Sequence, residues 1–171
     1  SWPGHAMSER RGGASFVENA IVNFLAGAEY FTFFGWKSNW ASTEWKDCIS
    51  WALISASNKD AQRTPALHTL AVGVLTAQME PAIHTRGRTV KQYGVRGGIF
   101  PKKNGGEVAV LWSARGRRTV SVMAETARLE RVTMLGLTDT LTARKGERFY
   151  THTIELGEEP CYVHSDMPLV G

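Results

Sequence analysis

Little in this chain of 171 residues supports metal or redox chemistry. Its two cysteines, Cys48 and Cys161, lie in different halves with no CxxC or Cys/His spacing, and both read as free buried thiols. His84, His152 and His164 are dispersed without metal-ligand spacing, and His68 sits beside Leu67 and Leu70 as a structural residue would. No metal and no cofactor is therefore expected. A Ser-His-Asp triad on a strand-to-helix elbow would need a GxSxG motif, which is absent. No apolar run approaches the roughly 18 residues of a spanning helix, and no basic head followed by an apolar core marks a signal peptide, so no membrane partner is expected. Localisation and oligomeric state stay open.

A contiguous basic stripe is lacking too. Residues 1–80 hold 6 Lys/Arg against 7 Asp/Glu, while residues 81–171 hold 14 against 9. The excess belongs to the second half, but Arg115, Arg117 and Arg118 fall at a hairpin turn and Arg86, Arg88, Lys91 and Arg96 are scattered without interleaved aromatics. That pattern reads as a solvated basic face and predicts no nucleic-acid partner.

What is present is 43% hydrophobic residues, enough for a sizeable core. Between Gly12 and Gly27, Phe16, Val17, Ala20, Ile21, Phe24 and Leu25 recur at helical spacing, and Gly27 is a natural stop. Glu29 to Phe34 is almost wholly apolar or β-prone, as in a parallel strand covered on both faces, and it ends in Gly35-Trp36. A polar loop with Trp40 and Trp45 comes next. Thr64-Pro65 supplies an N-cap and a proline at the first helical position, with Leu67, Leu70, Ala71, Val74 and Leu75 as the apolar stripe of a second helix.

After Pro81 the period changes. Val95 to Phe100, Glu107 to Ser113, Arg118 to Met123, Ala127 to Thr133, Arg148 to Glu155 and Cys161 to His164 read as short strands. They are punctuated by Asn104-Gly-Gly, Arg115-Gly, Gly136, Lys145-Gly and Gly157, which predicts a small antiparallel β-sandwich. The fold class is thus α/β followed by all-β.

This order resembles the C-terminal portion of retaining (β/α)8-barrel glycoside hydrolases of the β-xylosidase and cellulase kind, which append a β-sandwich to the barrel. The segment "FLAGAEYFTFFGW" up to Trp36 is similar to their seventh helix running into the eighth strand. The stretch "ISWALISASNKDAQRTPALHTLA" from Ile49 resembles their closing segment and final helix, and "VAVLWS", "TMLG" and "EEPCYVHS" resemble their accessory sandwich. The resemblance implies that residues 1–80 are the end of a TIM barrel (helix 7, strand 8, helix 8) and residues 81–171 the accessory domain. Part of such a sandwich can come from the N-terminus of those enzymes, so the six strands counted may leave a sheet edge unfilled.

The resemblance also implies a carbohydrate substrate and hydrolysis of O-glycosidic bonds by two carboxyl groups about 5 Å apart. Residues Ser1 to His5 resemble the loop directly after the seventh-strand glutamate. The chain is thus expected to begin partway through a larger protein, with both catalytic glutamates upstream of Ser1, no catalytic residue of its own and no activity alone. Trp36, at the C-terminal end of strand eight, would stack on a sugar face, with Asn39 and Trp40 extending the subsite and Trp2 and His5 nearby. Glu29 would lie at the strand's opposite, stabilising end, and Glu44 and Asp47 serve as loop residues. The alternative is a non-catalytic module in which the sandwich binds carbohydrate or simply stabilises the barrel. Five of the six tryptophans precede Pro81, and Trp112 sits in an alternating, buried-type position, which favours the stabilising role for residues 81–171.

Overall fold

The structure is a computed structural model that describes residues 9–30, 54–55, 64–65 and 67–170. Helix α1 (Glu9–Leu25) buries Val17, Ala20, Ile21 and Phe24 of the predicted stripe together with Ala14, while Phe16 and Leu25 are only partly buried. Val17 and Ile21 are fully buried, each contributing about 1.5–3 kcal/mol relative to exposure. The helix closes in a Schellman arrangement: the Ala28 amide donates to the Asn23 carbonyl at 3.0 Å, and Gly27 takes φ 95°, a conformation that side chains disfavour.

Two expectations near the helices are corrected. Glu29 and Tyr30 form a bend and an irregular residue rather than the start of a strand, and the rest of the predicted strand, Phe31 to Phe34, lies outside the described residues. Thr64 and Pro65 do not open the second helix. They form a short strand β2 (Thr64–Pro65) paired antiparallel with β1 (Ile54–Ser55), so their backbone is held extended and helix α2 begins two residues later, as Leu67–Met79. Ala71, Leu75 and Met79 are its buried stripe, while Leu67 and Leu70 are exposed.

The second half is antiparallel β as predicted, but with more strands than expected and as one continuous sheet folded over on itself in place of a sandwich of two separate sheets. In chain order these are β3 (Arg88–Thr89), β4 (Val95–Pro101), β5 (Glu107–Ser113), β6 (Arg118–Ala124), β7 (Arg128–Thr133), β8 (Thr138–Lys145), β9 (Tyr150–Leu156), β10 (Cys161–Ser165) and β11 (Leu169–Val170). The spatial order is β11-β6-β9-β8-β7-β10-β5-β4-β3, every neighbour antiparallel. β8 belongs to both layers: Thr138 to Thr142 pair with β7, and Ala143 to Lys145 pair with β9. The ribbon folds over at β8, bringing β6 and β9 across from β4, β5 and β10.

Alternation then assigns each side chain to one of two cores. On β5, Val108, Val110 and Trp112 face α1 and α2, joined by Phe100, Val132 and Tyr162. Ala109 and Leu111 point the other way, toward Val120, Ile154 and Leu156 of the second layer, with Cys161 and Val163. All seven residues of β5 are buried, as a strand covered by helices on one face and a sheet on the other must be. At Gly97 (φ 139°) a Cβ would lie 1.9 Å from the Val110 carbonyl oxygen, so close approach of β4 to β5 requires glycine there.

Candidate functional site

Trp2, His5, Trp36, Asn39 and Trp40, the residues expected to meet a sugar, lie outside the described residues, as do Glu44, Asp47 and Cys48. What is described is the ground from which that segment departs. Glu29 and Tyr30 line an apolar groove of about 390 Å³ whose walls are Phe16, Ala20 and Phe24 of α1 and Val72, Leu75 and Met79 of α2. His84 closes one end, stacked on Phe24 with ring centroids 4.4 Å apart, and its Nε2 bonds the Met79 carbonyl at 2.9 Å. That histidine is occupied structurally. Tyr30 is 78% exposed at the rim, the last described residue before the tryptophan-bearing segment.

Two further histidines are also tied to the fold. His152 is fully buried with Nε2 on the Thr126 carbonyl at 2.9 Å, and His164 on β10 meets the Gln78 side-chain oxygen of α2 at 2.6 Å. Burial, reinforced by Lys102, lowers the His164 pKa from its ordinary value. Among the described residues, no group of three or more His, Cys, Asp and Glu is placed to hold a metal. Cys161 is a buried thiol whose pKa is pushed up to about 11, first by burial.

Charge is arranged in two places that the sequence pattern does not reveal. The first is Glu107, a carboxylate on β5 left only 7% exposed. Arg88 of β3 grips both its oxygens (Nη2 to Oε2, 2.9 Å), the Leu169 amide of β11 donates to it at 2.6 Å, and Arg88 Nη2 also donates to the Leu169 carbonyl at 2.9 Å. The cluster joins the outermost strands of the two layers. Burial pushes the Glu107 carboxyl up, but Arg88 and the Leu169 amide together outweigh it and hold it below the ordinary carboxylate value.

The second is a cleft of about 500 Å³ at one end of the sandwich, where the β5–β6 and β9–β10 turns meet the start of α1 and strand β7. Arg131 is clamped by Asp139, its register partner on β8, through Nε at 2.9 Å and Nη2 at 2.6 Å. Glu158 is pinned by the Gly116 amide at 2.7 Å, and Glu159 pairs with Arg10, whose Nη2 donates at 2.8 Å. The Arg131–Asp139 pair spans the hairpin turn at Leu135-Gly136. Recognising β8 as a strand would have made that pair visible in the sequence.

Comparison with known proteins bears on the fold. Among solved structures the chain is similar to a family 39 glycoside hydrolase from the gut symbiont Bacteroides cellulosilyticus WH2, with a TM-score of 0.62 at 13% sequence identity. The likeness covers 91% of this chain and 30% of that one, so the chain spans less than a third of the enzyme it matches. No family model and no curated protein matches it. Two helices laid on an antiparallel sandwich are thus an arrangement found within a glycoside hydrolase.

Proposed function

We propose that this chain is the C-terminal part of an enzyme that hydrolyses O-glycosidic bonds of carbohydrates. Residues 1–80 are the closing elements of its (β/α)8 barrel, and residues 81–171 are an accessory sandwich that buttresses them. The observation that carries the reading is the extent of the structural likeness, which takes in 91% of the chain, helical part and sandwich together. The core shared by α1, α2 and β5 supports the buttressing role, because the sandwich fills one apolar side of the helices.

On this reading the barrel works by double displacement, with two carboxyl groups about 5 Å apart in sequence upstream of Ser1. Trp36 provides the sugar platform, Asn39 and Trp40 extend it, Trp2 and His5 line the neighbouring loop, and the 171 residues by themselves are inactive. The test is to express the longer coding frame around this chain and assay it on 4-nitrophenyl glycosides, following anomeric configuration by NMR. Hydrolysis with retention, abolished by substituting glutamates at the ends of the fourth and seventh strands, supports the reading. A frame that encodes no such barrel, or an intact product that cleaves no glycoside, refutes it.

A further inference from the structure

The cleft at the end of the sandwich has no place in that mechanism, yet it is built as a ligand site. Among the described residues three guanidinium groups and three carboxylates line it, so neither sign is in excess there. A cleft meant for a phosphate or another ion would carry an uncompensated charge; this one concentrates no ion of either sign. It offers instead donors that cannot accept, on arginine, beside acceptors that cannot donate, on glutamate. A hydroxyl does both, so adjacent hydroxyls of a sugar can be met by an Arg and a Glu side by side.

Two further features fit the same ligand. Met134 and Pro160 lie buried beneath the charged groups and give the cleft an apolar floor. The polar groups are held in place before any ligand arrives, Arg131 by Asp139 and Glu158 by the Gly116 amide, which lowers the ordering cost of binding. Arg117 and Glu155 are exposed in the same lining, and among the described residues neither side chain has a hydrogen bond or ion pair. About 500 Å³ lies within the range of small-ligand clefts.

We propose that this cleft binds neutral oligosaccharides, with Arg117 and Glu155 as the groups that engage the sugar hydroxyls and Arg131 and Glu158 as fixed partners beside them. The choice of a sugar among polyols rests on the glycoside hydrolase reading; the balance of charge and the apolar floor do not. In a full enzyme such a site would hold the substrate chain at the accessory domain while the barrel cuts it. With no aromatic platform among the described residues of the lining, the affinity is modest, with a Kd of about 1 mM.

The test is a ¹⁵N-¹H NMR titration of the 171-residue chain with xylotetraose, cellotetraose and inorganic phosphate. Saturable shifts at the Gly116 and Gly157 amides with a tetrasaccharide are expected. Arg117→Ala and Glu155→Gln should each weaken binding about tenfold, the loss of one hydrogen bond to a charged group, without changing the far-UV spectrum. Absence of saturable shifts at tens of millimolar sugar, variants that bind like the wild type, or tighter binding of phosphate than of either sugar overturns the proposal. Hydrolysis by the longer polypeptide with no binding here would overturn only the cleft. Sugar binding here with no upstream barrel would uphold the cleft as a polyol site and overturn the enzyme.

Discussion

Substitution of Glu107 probes the arrangement that closes the sandwich. Its carboxylate is nearly buried and receives Arg88 from β3 and the Leu169 amide from β11, residues 19 and 62 positions away in sequence. Removing one partner of a fully buried ion pair costs about 3–5 kcal/mol, but the Arg88 side chain is 47% exposed and can rehydrate, so the lower part of that range or less applies. Glu107→Ala, which also orphans the Leu169 amide, should cost about 2–3 kcal/mol. Glu107→Gln keeps an acceptor for that amide and loses the charge, for about 1–2 kcal/mol. With a urea m-value of about 2 kcal/mol/M, the alanine variant should lower the unfolding midpoint by about 1 M at pH 7. The pH dependence gives an independent check. Because the folded carboxyl titrates below its unfolded value, its contribution is present above the unfolded pKa and is lost as pH falls through the folded one. Wild-type stability should therefore fall from about pH 4.5 downward in a component that Glu107→Gln lacks. Equal midpoints for wild type and Glu107→Ala at pH 7, or parallel acid profiles for wild type and Glu107→Gln, would refute the reasoning.

Three further outcomes are expected. The Tyr162 hydroxyl is buried in the helix-facing core without a partner among the described residues, so Tyr162→Phe should be neutral or stabilise by about 1 kcal/mol in urea unfolding; a loss of that size would reveal a partner for the hydroxyl. Cys161, its pKa pushed up to about 11 by burial, should resist iodoacetamide at pH 8 in the native protein and react once unfolded, read by peptide mass spectrometry; native labelling at the unfolded rate would contradict its burial. In the longer, active polypeptide, Trp36→Ala should raise KM for an oligosaccharide about tenfold, the loss of one stacking platform, and an unchanged KM would remove Trp36 from the sugar site.

Local periodicity is enough to place α1 and most of the sandwich. Glu107–Ser113 reads at its observed bounds, because a β-prone run set off by glycine-rich turns needs no knowledge of its neighbours. β8 escapes for the same reason: Leu141 is its one buried residue among eight, so no alternation marks it, and its role as the strand shared by both layers exists only once β7 and β9 are placed beside it. β3 and β11, two residues each, are strands only because β4 and β6 offer them an edge. Thr64-Pro65 carries a helix-start signal that pairing with Ile54-Ser55 overrides. The charged features are hidden from the sequence because their partners are remote along it: Arg88 meets the Leu169 carbonyl 81 residues away, and Arg10 meets Glu159 across 149. Order along the chain settles which residues are apolar, which turn and which can pair. Which carboxylate becomes buried, which arginine answers it and where a cleft opens depend on how the strands register and fold over one another, since only that brings distant charges within a few ångströms and excludes water from them.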